Sequence, residues 1–145
     1  MPTGPKLKKR TLEMKNKFLL VLRFVVAVIL IQTLFFKFTG APESKYIFGR
    51  LGLEPWGRIF SGVVELIASI LILIPATQII GAAIALGVMV GAILSHIFIL
   101  GIVVQNDDGL LFSLACIVFI FSSLVIVLQL EKVRGLLHKI LRVRA

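Results

Sequence analysis

The chain has 145 residues, 59% of them apolar and 16% charged, with a formal net charge of +9. Soluble domains run nearer half apolar and a quarter charged, so this balance excludes an ordinary water-soluble globule. The Lys and Arg residues crowd into the first 17 positions, one central loop and the last 14. There they flank apolar stretches instead of striping a folded domain, which points to membrane orientation and away from nucleic acid.

Residues 1–17 form a basic segment carrying Lys6, Lys8, Lys9, Arg10, Lys15 and Lys17. A helix crosses the ~30 Å hydrocarbon layer with roughly 20 apolar residues, and Phe18 to Phe36 is the first run that qualifies, interrupted by Arg23 and Gln32. A cleaved signal peptide is the rival reading of this run. The length of the run, Arg23 within it and Pro42 after the small residues Thr39, Gly40 and Ala41 favour a retained anchor.

Lys37 to Pro55 is the one sizeable stretch between spans, mixing charges with Phe38, Tyr46 and Phe48, and Trp56 follows it. Such aromatic residues settle at headgroup level, so the segment is expected along the outer interface as a short helix ending near Gly49 to Gly52. The second span runs from about Trp56 to Ile74 with Glu65 inside it, and the third from Ile79 to Val104 with His96. Only residues 75–78 separate these two, so they are antiparallel neighbours. The third run exceeds the layer's thickness and is expected to tilt or project.

Gln105 to Gly109 form the next turn, and Leu110 to Leu130 the fourth span, with Cys116 its only ionisable residue. As the single cysteine, Cys116 excludes an internal disulfide and any CxxC redox pair. Asp107 and Asp108 beside Gly109 read as an ordinary outer turn. In the tail, residues 131–145, apolar Val133, Leu136, Leu137, Ile140 and Leu141 alternate with bases. That pattern suits either a helix lying on an anionic leaflet or a plain extension of the fourth span.

The predicted fold is thus all-α, an integral membrane four-helix bundle with spans at about 18–36, 56–74, 79–104 and 110–130. Eleven Lys and Arg flank the terminal ends, against Lys37, Lys45, Arg50 and Arg58 on the opposite side. This places both termini in the cytoplasm by the positive-inside rule.

An ionisable side chain in lipid costs several kcal/mol unless it finds a partner or reaches the interface. Arg23 and Lys37 lie near the ends of the first span and, taken alone, are expected to snorkel. Glu65 and His96 lie too deep for that. Glu65 shares a helical face with Ser61 and Ser69, a polar stripe that has to point inward. Gly87, Gly91 and Ser95 form a small-residue ridge suited to close helix approach, with His96 on its flank. The fourth span offers Ser113, Cys116 and Ser123 on one face. Arg23, Ala27, Leu30, Leu34 and Lys37 fall on one face of the first span, with Gln32 roughly opposite. If that face turns inward, Glu65 lies in depth between Arg23 and Lys37, near the level of His96. Arg23, Lys37, Glu65, His96, Ser61 and Ser69 are therefore the candidate lining of a ligand or proton pocket. No phosphate loop, dinucleotide fingerprint or HExxH occurs, and His96 and His138 lie too far apart in this scheme to share a metal.

From about Leu20 to Leu130 the chain resembles the DoxX family of small four-helix bacterial membrane proteins. The likeness rests on Leu22-Arg23, Lys37-Phe38 closing the first span, Leu51-Gly52-Leu53, Gly62 and Glu65 in the second span, and His96 late in the third. The resemblance implies an inner-membrane location and roles that differ among members: subunits in thiosulfate and quinone oxidation, assembly factors, or defence against oxidative stress. Absence of a CxxC pair and of a soluble catalytic domain sets the chain apart from thiol-redox relatives and implies partner subunits for any redox role.

Three functions follow as expectations. The first is an accessory subunit, without catalysis of its own, of a quinone-linked respiratory or redox assembly, its polar pocket holding a quinone-like lipid. The second is a membrane scaffold or assembly factor whose polar residues only lock the bundle. The third is a small transporter of protons or organic molecules, which four helices could hardly enclose without a homo-oligomer.

Overall fold

The computed structural model describes residues 4–143, the side chains of residue 5, 131–133 and 135–143 excepted. It is helical throughout: α1 (Gly4–Thr39), α2 (Pro42–Arg50), α3 (Trp56–Leu73), α4 (Gln78–Ser95), a π-helical turn (His96–Leu100) and α5 (Leu110–Val143). Four stretches are long and apolar enough to cross a membrane: Lys6–Thr39, Trp56–Leu73, Gln78–Leu100 and Leu110–Leu130. At 1.5 Å per residue, α1 and α5 are each about 50 Å long, so both outrun the ~30 Å layer. The basic segment is, from Gly4 on, one helix with the first span, and α5 runs unbroken from the fourth span to Val143. The side chains on which an amphipathic tail would rest, Val133, Leu136, Leu137, Ile140 and Leu141, lie outside the described residues, as does that of His138.

The spanning helices close a ring in which α1 packs on α3, α3 on α4, α4 on α5 and α5 back on α1. The short α2 covers one end, touching α1, α3 and the π-helical turn. The opposite end holds the tight α3–α4 connection and is here called the hairpin end. Leu19, Leu22, Val26 and Ala27 of α1, Ala68 and Ile72 of α3, Ala82 and Ala85 of α4, and Val125 of α5 fill it. At this end Gly81 permits the closest helix approach. A Cβ there would overlap the Ile72 backbone nitrogen and lie 2.7 Å from the Leu71 carbonyl carbon.

Two arginines secure the α1–α3 pair at its two ends. The last carbonyls of a helix lack intrahelical donors, and in lipid no water replaces them. Arg23, on α1, donates from Nε to the Ile72 carbonyl at 2.6 Å and from Nη2 to the Leu73 carbonyl, both at the C-terminus of α3. The Thr77 hydroxyl takes the Leu71 carbonyl at 2.9 Å. Arg58, on α3, donates in turn to the Lys37 carbonyl at the C-terminus of α1. Glu54, one turn before Arg58, holds its guanidinium through Nε and Nη2 at 2.8–2.9 Å. That helix end also closes on Gly40, at φ +67°, with the Ala41 N–H donating back to Phe36 at 3.0 Å, the Schellman arrangement. Each helix thus supplies the cation that satisfies the other's C-terminal carbonyls and dipole.

Two expectations need correction. Arg23 and Lys37 do not snorkel, because each finds a partner inside the bundle. The third span does not continue helical to Val104. It loosens into the π turn at His96 and stops at Gly101, whose φ is +84° and whose N–H donates to the His96 carbonyl at 2.8 Å. Residues 101–109 form a loop instead of a further helical turn. On α5 the buried positions among the described side chains are Ala115, Val118, Ser122, Val125 and Gln129, while Ser113 and Ser123 bond back to the carbonyls of Gly109 and Phe119. The serine that sits in the core is Ser122, whose hydroxyl has no partner among the described residues.

The glycines of α4 supply a direct test of this packing. Gly81→Ala is expected to lower stability in detergent by about 1–3 kcal/mol, because backbone has to move. Gly87→Ala and Gly91→Ala meet nothing within 4 Å and are expected to be neutral or to gain up to about 1 kcal/mol of helix propensity. Thermal unfolding of the three variants by circular dichroism checks the contrast; equal losses at all three positions would contradict the arrangement.

Candidate functional site

At the α2 end the ring does not close on itself. The second half of α1, the first half of α3, the second half of α4 with its π turn, and the first half of α5 surround a cavity of about 610 Å³ that α2 covers. This volume lies within the range of small-molecule sites. The expected helix–helix ridge of Gly87, Gly91 and Ser95 lines this space instead of a contact. Phe60 of α3 also lines it while remaining 70% exposed. On its α3–α4 side the wall is therefore one aromatic ring and two glycines thick, and faces the lipid.

The polar groups sit on an otherwise apolar lining. Glu65 is 2% exposed and is held by α1. Its Oε1 pairs with the Lys37 ammonium, and its Oε2 lies 2.8 Å from the Thr33 hydroxyl, which is also 2.7 Å from the Leu30 carbonyl. A hydroxyl has a single proton, so Thr33 serves one of these acceptors at a time. Lys37 keeps 15% of its side chain exposed and lies 6.0 Å from the centre of the Phe48 ring of α2. Gly62 makes the pairing reachable. A Cβ there would come 3.0 Å from the Phe38 ring and 3.5 Å from the Lys37 Cβ, so a larger residue would press the Phe38 ring aside where α1 settles one turn from Glu65.

His96 is the second polar group and is 5% exposed. Its Nδ1 lies 2.8 Å from the Gly101 carbonyl, and its ring stands edge-on to Phe112 with centroids 5.6 Å apart. The π turn makes this possible, since the wider turn brings the Gly101 carbonyl back over the ring; single π turns recur at functional sites for such reasons. Asp107 closes the loop beyond, accepting from the N–H groups of Val104, Gly109 and Leu111 at 2.7–3.0 Å. Burial raises the Asp107 carboxyl, but these three N–H groups outweigh burial and hold it below its ordinary range.

Of the six candidates, Lys37, Glu65, Ser61 and His96 line the one cavity. Arg23 and Ser69 do not. Arg23 lies fourteen residues before Lys37, about 21 Å along α1, and clamps the hairpin end; Ser69 is fully buried and bonds back to the Leu66 carbonyl at 2.7 Å. The face Arg23, Ala27, Leu30 and Leu34 is buried as its spacing implies, yet the single acid–base cluster resolves into two sites at opposite ends. Sequence reasoning missed Thr33, one turn before Lys37, whose i−4 spacing was the available signal. It also set Gln32 on the far side, whereas Gln32 lines the cavity. Arg58 had counted only toward orientation.

An ion pair in this setting repays its desolvation only while both partners remain. Lys37→Met is expected to cost about 3–5 kcal/mol by stranding Glu65, and Lys37→Met with Glu65→Leu to recover most of that loss. Thermal melts of the two single variants and the double variant in one detergent check the cycle.

Comparison with known proteins agrees with this architecture. No curated protein and no solved structure matches the chain. Residues 21–123, which hold the whole cavity lining and both arginine clamps, match the DoxX-like family. The chain is an integral membrane protein of the DoxX-like family.

Proposed function

We propose that this protein is an accessory subunit of a quinone-linked redox assembly in the bacterial inner membrane, both termini cytoplasmic, and that its cavity holds the head of a quinone-like lipid. The observation that carries this reading is the cavity itself: predominantly apolar, lipid-facing at Phe60, Gly87 and Gly91, with Lys37, Glu65, Thr33 and His96 among its polar groups. Such a space suits an amphipathic ring with one or two oxygens better than a phospholipid headgroup, whose phosphate would meet the carboxylate of Glu65. The charge distribution, eleven Lys and Arg at the terminal ends against four opposite, supports the orientation.

A scaffold or assembly factor is the second reading. It is favoured by the internal satisfaction of Arg23, Arg58 and Glu65, each of which has a fixed structural partner. Transport ranks third, because packed Val26, Ala68, Ile72, Ala82 and Val125 stand between the cavity and the hairpin end.

The two leading readings separate in one experiment. Purified in mild detergent, the protein is expected to carry a quinone detectable by mass spectrometry. Gly91→Leu fills open space, so it should reduce that quinone about tenfold or more while leaving the melting temperature nearly unchanged. A wild-type protein that brings phospholipid alone, or a Gly91→Leu variant with undiminished quinone, would overturn the ligand reading in favour of the scaffold.

A further inference from the structure

The polar groups of the cavity differ in what they can say about a ligand. Lys37 has three N–H donors, one of them committed to Glu65. A donor at that end accepts any ligand oxygen, since a carbonyl and a hydroxyl both take a hydrogen bond. It therefore holds a ligand without reading its oxidation state.

His96 reads more. Its Nδ1 faces a backbone carbonyl, Gly101, at 2.8 Å, and a carbonyl can only accept, so Nδ1 has to carry the proton. A neutral ring with its proton at Nδ1 has its lone pair at Nε2. Among the described residues no donor stands at Nε2, and the imidazole lines the cavity while 5% exposed. In the adjoining loop Asp107 turns its oxygens to three backbone N–H groups and makes no hydrogen bond to the ring. The backbone, through the π turn and Gly101, thus sets this end of the cavity as an acceptor.

The geometry points to His96 as the residue that selects the reduced form of the ligand, a hydroquinone or other phenol whose O–H donates to Nε2 while its far oxygen accepts from Lys37. This rests on the cavity being a ligand site. An oxidised quinone of the same shape sets a carbonyl oxygen against the Nε2 lone pair, two acceptors face to face in a site with little water. Sites built to hydrogen-bond a hydroxyl discriminate strongly against analogues that lack it. The selectivity belongs to binding alone and requires no electron transfer within this chain.

The test uses the full chain in detergent with a short-chain quinone of one isoprene unit, its hydroquinone kept reduced by excess dithionite, and the dimethyl ether of that hydroquinone. The hydroquinone is expected to bind about tenfold or more tightly than either other compound. In His96→Gln, whose amide offers a donor or an acceptor, the preference should collapse while binding persists. Should that variant fail to fold, the ring itself answers. In His138→Gln protein labelled with ¹⁵N-histidine, His96 should show a protonated Nδ1 and an unprotonated Nε2 whose shift moves when hydroquinone is added. Equal affinity for the three compounds, or a ring protonated at both nitrogens at neutral pH, overturns the selection and leaves the cavity reading standing. Failure of all three compounds to bind overturns both.

Discussion

The last carbonyls of a helix lack intrahelical donors, and much of this molecule follows from how α1 and α3 solve that problem for each other. Being antiparallel, each ends beside the other's start. Arg23, in the first turns of the α1 span, reaches the last carbonyls of α3; Arg58, in the first turn of α3, reaches the Lys37 carbonyl near the end of α1. A guanidinium suits this task because its planar fork offers several donors, and the negative end of the helix dipole offsets part of the cost of burying the charge. The exchange fixes the register of the two helices, and with it which residues face each other between the clamps.

That register brings Lys37 and Thr33 to Glu65, with Gly62 supplying the space for α1 to approach. It also divides the bundle. Toward the hairpin end, small residues and Gly81 let α3 and α4 pack almost backbone to backbone. From that tight point the helices diverge, and by the level of Gly87 and Gly91 nothing fills the gap between them. The cavity is the geometric consequence of helices pinned closely at one end and held apart at the other by α2 and the π turn. Several of its polar groups are spent on the protein, Glu65 on Lys37 and Thr33 and Nδ1 of His96 on the Gly101 carbonyl.

The same physics separates the structural polar residues from those with capacity to spare. Arg23 meets helix carbonyls, Ser69 bonds its own helix, and Arg58 is shared between Glu54 and the end of α1. Basic residues on one face of α1, Arg23 and Lys37, therefore carry unlike duties, decided by whether their partners are backbone or side chain. An ionisable residue within a span is a reasonable pointer to function, but here Arg23 and Arg58 lead to helix ends.

Four crossings, their order and the inward turn of Glu65 and His96 were legible in the sequence, because hydrocarbon penalises exposed polar groups so heavily that period and length leave few alternatives. The partner of each polar group was not. Spacing places Arg23 and Lys37 on one face of α1, yet only the antiparallel register shows that one meets the end of α3 and the other its middle. The ridge of Gly87, Gly91 and Ser95 reads as a contact from composition, since small residues permit close approach; whether a neighbour comes depends on where α3 and α4 diverge, which Gly81 and α2 decide. The end of the third helix was hidden for a related reason. Residues 96–104 are nearly as apolar as those before them, so hydropathy carries the helix onward, whereas the backbone stops it at Gly101 and in doing so fixes the proton of His96.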